Sequence, residues 1–200
     1  TWDAGHAIDG AAVVEGDTVY ILDTKLELHA LDRRTGTPRW TASLHDAAIA
    51  GGPVPDNPTF NHRAATPLVW DGVVYCGSSD GGLYAVDAAS GRIQWRQAVG
   101  APVFSGVGRH GTDTLLFGTM DGSVVLLDRR TRQETHRFHT GGGVVTKPVV
   151  AAGNVIVGSR GMTDLANDKP LAHGKVVKVY PEIQNGNVLA DVEVAGLGDF

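Results

Sequence analysis

Two glycine-rich segments of the chain match spacings that can carry chemistry. Residues 106–111 (GVGRHG) match the G-x-G-x-x-G pattern, which in dinucleotide-binding proteins holds a pyrophosphate against the first turn of a helix. Here residues 114–118 follow with the composition of a strand, so no helix faces the glycines. Residues 77–81 (GSSDG) match the G-x-S-x-G pattern of hydrolases, but that serine needs a strand-to-helix turn and this segment joins two strands. We therefore predict a turn role for Ser79 and no catalytic residue.

The chain has eight histidines, and the spacing between them could indicate a pair of metal ligands. His136 and His139 are three residues apart in a predicted strand, which points their rings to opposite faces, and no other histidine pair has ligand spacing. Asp164, Asp168 and His173 could approach one cation, but an irregular polar loop has the same composition. We therefore predict that the chain holds no metal.

The chain has a single cysteine, Cys76, which excludes an internal disulfide and a zinc knuckle. It follows Tyr75 in a predicted strand and has no basic neighbour that would lower the pKa of its thiol. This setting is typical of a small buried residue and not of a nucleophile.

The elements that would position these residues come from an internal repeat. Residues 28–40 (LHALDRRTGTPRW) and 83–95 (LYAVDAASGRIQW) match each other as A-x-D-x-x-(T/S)-G-x-x-x-W. A third copy, 125–136 (VLLDRRTRQETH), has arginine in place of the glycine and histidine in place of the tryptophan. A fainter fourth copy spans 174–194. A β-branched or aromatic run precedes each copy, which predicts further strands.

The repeat has a period close to forty residues. The third apolar residues of the preceding runs mark it, at Tyr20, Tyr75, Phe117 and Val157. Four apolar runs separated by turn residues fill each period, as in a four-stranded antiparallel propeller blade. We predict an all-β protein with one domain over residues 1–200, and its blades lie approximately at 7–44, 65–99, 104–140 and 145–195.

The repeat signature, preceded in residues 74–84 by VYCGSSDGGLY, resembles the PQQ-like (quinoprotein-type, BamB-like) β-propeller repeat. The resemblance implies a ring of seven or eight blades, of which this incomplete chain supplies about four and a partner or missing blades supply the rest. A closed four-bladed ring is the alternative. The resemblance also implies that Trp40 and Trp95, at the end of each repeat, dock against the neighbouring blade.

Three aspartates are predicted to be structural. Asp32, Asp87 and Asp128 each precede a turn of the repeat, where a short carboxylate accepts hydrogen bonds from the backbone ahead of it. Quinoprotein dehydrogenases of the resembled family need an acidic and amide calcium site, and commonly adjacent cysteines over the PQQ cofactor. With one cysteine in the chain, we predict that PQQ and calcium are not bound.

The candidate ligand-binding residues lie on one face of the predicted propeller. In a four-stranded blade, the turn between strands two and three shares a face with the link to the next blade. Two insertions, 44–63 and 162–173, fall on this insertion-bearing face, where long loops are often functional. The residues that precede inner strands or lie in turns there are the candidates: Asp9, His62, Arg63, Ser105, Lys147 and Arg160. Their three cations could bind an anionic ligand, or they could be solvated rim residues.

Charge and hydropathy narrow the classes of function. The net charge is −5 without a basic run, which argues against nucleic acid, and no apolar run is long enough for a membrane helix. We predict a non-catalytic domain that binds a protein, peptide or small molecule, in an extracytoplasmic sensor or scaffold of a bacterium. The alternative is a fragment of a PQQ-dependent or other propeller enzyme with its active site in the central funnel.

Overall fold

A computed structural model describes residues 2–51, 65–140, 142–151, 154–157, 174–184 and 187–194. Within these ranges the chain forms three four-stranded antiparallel sheets, each with its strands in chain order, followed by two two-stranded sheets. The prediction of an all-β propeller built from four-stranded blades is therefore confirmed. No helix in the described ranges is long and apolar enough to cross a membrane.

The strands of each blade run from the inner to the outer edge. Blade 1 contains β1 (Val13–Glu15), β2 (Thr18–Leu22), β3 (Glu27–Asp32) and β4 (Pro38–Ser43). Blade 2 contains β5 (Leu68–Trp70), β6 (Val73–Gly77), β7 (Gly82–Asp87) and β8 (Ile93–Ala98). Blade 3 contains β9 (Gly108–His110), β10 (Thr114–Gly118), β11 (Ser123–Asp128) and β12 (Glu134–His139).

Four further strands follow blade 3. They are β13 (Val149–Ala151), paired with β14 (Asn154–Ile156), and β15 (Gly174–Gln184), paired with β16 (Asn187–Val194). One short helix, α1 (Ala47–Ala50), lies in the insertion between blades 1 and 2. The insertion at 162–173 lies outside the described residues.

The strand register explains the repeat signature. In blade 1, Tyr20, Ala30 and Trp40 lie side by side on three neighbouring strands, and the two rings meet over the alanine with their centroids 5.9 Å apart. Blade 2 repeats the row with Tyr75, Ala85 and Trp95, whose rings are 5.8 Å apart. A small residue in the middle strand thus leaves room for two aromatic rings on the outer strands.

Blade 3 replaces this row with side chains of different sizes. Its residues are Leu116, Leu126 and His136, so a leucine fills the space above the middle strand. The register therefore corrects two of the four period markers. Tyr20 and Tyr75 each pair with the first residue of the inner strand, and the residues that do so later in the chain are Leu116, and not Phe117, and Ile156, and not Val157.

Hydrophobic cores lie between consecutive blades. The first joins Leu22 and Leu28 of blade 1 to Val74 and Val86 of blade 2. The second joins Leu83 of blade 2 to a set from blade 3 that includes Val103, Leu115, Phe117 and Val125. The third joins blade 3 to Val150 and Val155 of the segment after it. Burial of both faces of each sheet is what stabilises a radial array of blades.

Trp40 contacts blade 2 with both its polar and its apolar atoms. Its indole Nε1 donates a hydrogen bond to the carbonyl of Ala88 at 3.1 Å, and the Tyr20 hydroxyl donates to the same carbonyl at 3.2 Å. The Trp40 ring covers Gly91, where an added Cβ would lie 2.7 Å from a ring carbon. Glycine at position 91 therefore serves both the turn, which has φ +74°, and the docking of the indole.

The three aspartates of the repeat close the turns between the third and fourth strands. Oδ1 of Asp32 accepts hydrogen bonds from the amides of Arg34 and Thr35, at 3.0 and 2.9 Å. Asp87 accepts from the amide and hydroxyl of Ser90, and Asp128 accepts from the amides two and three residues ahead. Each carboxylate thus replaces a backbone acceptor at the turn.

In blade 3, Arg132 replaces the turn glycine of the repeat, which makes it possible to test why the other two blades have glycine there. Arg132 has φ +61°, the left-handed conformation that Gly36 and Gly91 adopt in blades 1 and 2. Because a side chain is strained there, Arg132→Gly should stabilise the protein by roughly 0.5–1 kcal/mol after the greater entropy of an unfolded glycine is counted. The urea midpoint of unfolding measures this. The reverse change, Gly36→Arg, places a Cβ in open space and should destabilise by a similar amount; equal midpoints for all three proteins would contradict the assignment.

Candidate functional site

The inner strands of the blades begin around a common axis on the insertion-bearing face. Two residues before β1, β5, β9 and β13 stand Ala11, Thr66, Gly106 and Lys147, which we call the axial mouth. The Ala11 amide donates to Thr66 Oγ1 and the Val107 amide donates to the Thr66 carbonyl, both at 3.3 Å. A Cβ on Gly106 would lie 3.0 Å from Lys147 Cβ and 3.3 Å from Thr66 Cβ. Residues from successive blades therefore meet at this point.

Lys147 brings a positive charge to the axial mouth. Its side chain is exposed, and its Cδ would lie 3.4 Å from a Cβ on Gly106. A larger residue at position 106 would displace the lysine stem. The absence of a side chain at position 106 therefore leaves room for the lysine stem at the axial mouth, where its ammonium group can bind a carboxylate or a phosphate by a charge-assisted hydrogen bond.

The structure places the other predicted ligand-binding residues as follows. Asp9 is exposed, two residues before Ala11. Ser105 is fully buried, and its hydroxyl accepts from the Gly118 amide at 2.7 Å and lies 3.1 Å from the Gly118 carbonyl, to which it donates. His62, Arg63 and Arg160 lie outside the described residues. That these residues form one ligand site stays a prediction.

Ser105 and Gly106 are neighbours in the chain but make different contacts. Gly106, the residue after Ser105, is the one that approaches Thr66 and Lys147. Ser105 instead ties the link between blades 2 and 3 to the end of β10. Thr66 and Gly106, which occupy the equivalent positions on the axis, are not among the sequence-based candidates.

A second feature of this face is the anchored start of the first insertion. Asp46 caps α1 by accepting hydrogen bonds from the amides of Ala48 and Ile49, and Gly51 ends the helix with φ +78°. The Asp46 amide donates to Asp80 Oδ2 in blade 2 at 3.1 Å. No residue of α1 is buried, and the Ile49 side chain is 55% exposed. We call Asp46 to Gly51 the anchored turn.

Asp80 holds the anchored turn through a buried network of charges. Its carboxylate accepts from the Tyr84 hydroxyl at 2.5 Å, the Arg96 Nε at 3.2 Å and the Gly82 amide at 2.8 Å. Burial acts to raise the pKa of Asp80, but hydrogen bonds from Arg96, Tyr84 and the Asp46 amide outweigh it and lower the pKa below its ordinary value. Burial and the neighbouring Asp80 carboxylate raise the pKa of Tyr84. Asp80 is therefore an anion whose acceptor sites are used by the protein.

Cys76 has the environment of an inert thiol. It is fully buried in the core between blades 1 and 2, with its Sγ 3.7 Å from the Ala65 carbonyl. Burial raises the pKa of Cys76 to about 12, so the thiolate that a nucleophile requires is not formed at neutral pH.

Among the described residues, the axial mouth offers few of the oxygen ligands that calcium needs. The ring of Thr66, Gly106 and Lys147 supplies one hydroxyl and one ammonium, whereas calcium takes six to eight oxygen ligands. A set of three potential metal ligands does exist among the described residues, Asp23, Glu27 and His29, but it lies at the turn between β2 and β3 and not at the axial mouth. Cys76 is buried between blades and cannot lie over a cofactor on the axis.

Comparisons with known proteins agree with this architecture. The family model described as outer membrane protein assembly factor BamB matches residues 1–131 and 79–170. A serine/threonine-protein kinase, AfsK of Streptomyces griseus, is 34% identical over 163 residues, which cover 76% of this chain and 18% of the kinase. A quinohemoprotein alcohol dehydrogenase of Comamonas testosteroni is 29% identical over 163 residues, which cover 73% of this chain and 22% of the enzyme. The chain thus spans less than a quarter of either relative.

A solved structure shows the same fold. The crystal structure of BamB from Moraxella catarrhalis superposes with a TM-score of 0.59 at 22% identity, over 77% of this chain and 44% of BamB. The family model accounts for most of the chain, and in blades 1 and 2 the alanine and tryptophan of the repeat signature lie side by side on neighbouring strands. The chain therefore belongs to the PQQ-like, BamB-type β-propeller repeat family.

Proposed function

We propose that this chain is a non-catalytic propeller domain that binds a protein or peptide on its insertion-bearing face. The observation that carries the proposal is the anchored turn. Its helix buries none of its residues in the chain's own cores, yet an N-cap and a buried carboxylate of the next blade hold it in place. Such an anchored apolar turn is preorganised for contact with a partner, because little conformational entropy is lost when it binds.

The polar groups around the anchored turn support binding more than catalysis. Asp80 is occupied by Tyr84, Arg96 and two backbone amides, and Ser105 is occupied by Gly118. A general acid or base needs a free proton site within reach of a substrate, which neither side chain offers. Lys147 at the axial mouth remains available to an anionic group of the partner.

The relatives suggest settings for such a domain. One is a serine/threonine-protein kinase and another is an outer membrane assembly factor. By analogy we place this domain outside the cytoplasm of a bacterium, as a sensor or scaffold. The alcohol dehydrogenase relatives favour the competing function, a piece of an enzyme that carries PQQ and calcium.

Site-specific cross-linking in the native host tests the proposal. A photo-reactive amino acid at position 49, in the anchored turn, should yield one discrete adduct with a partner. The matched control is position 93, since the Ile93 side chain is 42% exposed and lies beside the turn between β7 and β8, on the opposite face. Lys147→Glu should weaken the adduct at position 49 if the partner extends over the axial mouth.

Cross-linking and an enzyme assay together separate the two functions. Equal adducts at positions 49 and 93, or none at either, would contradict binding on the insertion-bearing face. Alcohol-dependent reduction of a dye after the full protein is loaded with PQQ and calcium would instead support the enzyme.

A further inference from the structure

We propose that Asp23, Glu27 and His29 of blade 1 form a binding site for a divalent transition metal, with zinc as the best match to their chemistry. Asp23 follows β2, while Glu27 and His29 lie two residues apart on β3, so their side chains share one face of the blade. One potential ligand atom from each residue lies within 4.8 Å of the others. This cluster lies at the turn between β2 and β3, where Glu27 pairs with Ser43 and the Leu44 amide donates to the Leu26 carbonyl, and none of its three ligands belongs to the axial mouth or the anchored turn.

The distances fit a metal with short bonds. Asp23 Oδ2 and His29 Nε2 are 3.2 Å apart. Two ligand atoms at zinc bond lengths of roughly 2.0–2.2 Å, separated by a tetrahedral angle, lie about 3.4 Å apart. A zinc ion could therefore replace the proton between these two atoms with only a small shift of either side chain, and that proton would be released to water.

Surrounding hydrogen bonds hold both ligands in the required orientation. Thr41 Oγ1 lies 3.0 Å from His29 Nδ1, so Nε2 of the ring points toward Asp23. The amides of Lys25 and Glu27 donate to Asp23 Oδ1 at 2.8 and 2.9 Å, which leaves Oδ2 for a metal. Partners of this kind fix the tautomer and direction of a histidine ligand in metal sites.

The other blades show that the fold does not require these three residues. The position of Asp23 is taken by Ser78 in blade 2 and Thr119 in blade 3, and both hydroxyls accept a backbone amide at the same turn. Glycine and serine replace Glu27, and tyrosine and valine replace His29. Blade 1 thus combines two carboxylates and an imidazole where the repeat needs none of them.

Burial and charge indicate how an ion would be held. The Asp23 side chain is fully buried and that of His29 is 6% exposed, and the Trp2 ring lies edge-on to the imidazole with the two ring centroids 4.8 Å apart. Glu27 is half-buried and opens toward solvent, so a water can supply the fourth ligand. Two carboxylates balance the charge of a divalent ion, and a mixed nitrogen and oxygen set favours zinc over calcium or magnesium.

Metal titration of the purified full chain tests the site. After dialysis against a chelator, calorimetric titration with zinc chloride should show one equivalent per chain, and zinc should raise the melting temperature. Cobalt(II) should give the visible absorption of a tetrahedral site. Glu27→Gln should weaken zinc binding at least tenfold, while Glu15→Gln, an exposed glutamate of β1, should bind zinc as the unaltered chain does.

Several results would overturn the proposal. One is the absence of saturable zinc binding. Another is equal zinc affinity for Glu27→Gln and the unaltered chain, because equal affinity would indicate that zinc binds to other histidines. Circular dichroism checks that the variant is folded. Thr41→Val offers a second route that keeps all three ligands: it should weaken zinc binding by loosening the His29 ring, and unchanged affinity in both folded variants would exclude the site.

Discussion

Replacement of Trp40 by alanine is expected to lower the free energy of unfolding by about 3 kcal/mol, the lower end of the range for large aromatic side chains, because Trp40 is only partly buried against the core. The change removes the ring contact with Tyr20, the hydrogen bond to the Ala88 carbonyl and the cover over Gly91. The last two contacts join blade 1 to blade 2, so most of the loss falls on the interface between blades. Urea unfolding followed by circular dichroism measures it. Trp95→Ala should cost less than Trp40→Ala, because Trp95 shares the contact with a tyrosine ring but the next blade has Arg132 in place of the turn glycine.

A double-mutant cycle shows whether Trp40 acts through docking. In the unaltered chain, Gly91→Ala places a Cβ 2.7 Å from the Trp40 ring and also strains a backbone with φ +74°. In the Trp40→Ala background the steric part disappears and only the backbone strain remains. The two substitutions should therefore cost less together than the sum of the separate changes. Strict additivity, or near-normal stability of Trp40→Ala, would show that the indole does not dock on blade 2.

The repeat made the fold predictable from the sequence. Tyr20, Ala30 and Trp40 recur as Tyr75, Ala85 and Trp95, and these rows exist because antiparallel pairing brings the three residues side by side. Blade 3 was harder, since Leu116, Leu126 and His136 form the row with other side chains. The spacing of the strands survives this change because the cores between blades depend on alternation and volume more than on residue identity.

The positions of individual side chains could be predicted less well. The approach of Thr66, Gly106 and Lys147 depends on how inner strands from different blades turn toward the axis, and no local pattern encodes it. Asp23 and His29 meet because the turn at Leu26 adopts φ +63°, where blades 2 and 3 have glycine. The signal available in the sequence was the alternation of Glu27 and His29 on one strand. The spacing of histidine pairs does not reveal this cluster, because only one of its three residues is a histidine.

The link that follows blade 1 carries an insertion, whereas the links that follow blades 2 and 3 are short, and residues at the end of the second strand explain this difference. In blades 2 and 3 the link to the next blade packs a valine against a glycine at the end of the second strand, Val103 on Gly77 and Val144 on Gly118. Blade 1 has the fully buried Leu22 at that position. A large side chain there fills the volume that the short link fills elsewhere, so the link after β4 is free to leave the blade and form an insertion.

Asp80→Ala is expected to destabilise the protein by about 3 kcal/mol, because it leaves the Arg96 guanidinium, whose side chain is only 17% exposed, without its carboxylate partner. It also removes the acceptor for the Tyr84 hydroxyl and the Asp46 amide. Exchange of the Asp46 amide hydrogen should accelerate, since this bond ties the anchored turn to blade 2. Urea unfolding and hydrogen exchange measure the two effects on the same sample.

Asp121→Ala is the matched control, since Asp121 occupies the equivalent turn of blade 3 but is exposed and bonds only with Thr119 and Ser123. It should cost about 1 kcal/mol, the value of an ordinary hydrogen bond, and leave Asp46 exchange unchanged. Replacing Arg96 by methionine in the Asp80→Ala background should recover part of the lost stability, because the unpaired buried charge is then gone. If Asp80→Ala and Asp121→Ala had equal effects, the carboxylate of Asp80 would be a turn residue like that of Asp121, and the anchored turn would have to be held by other contacts.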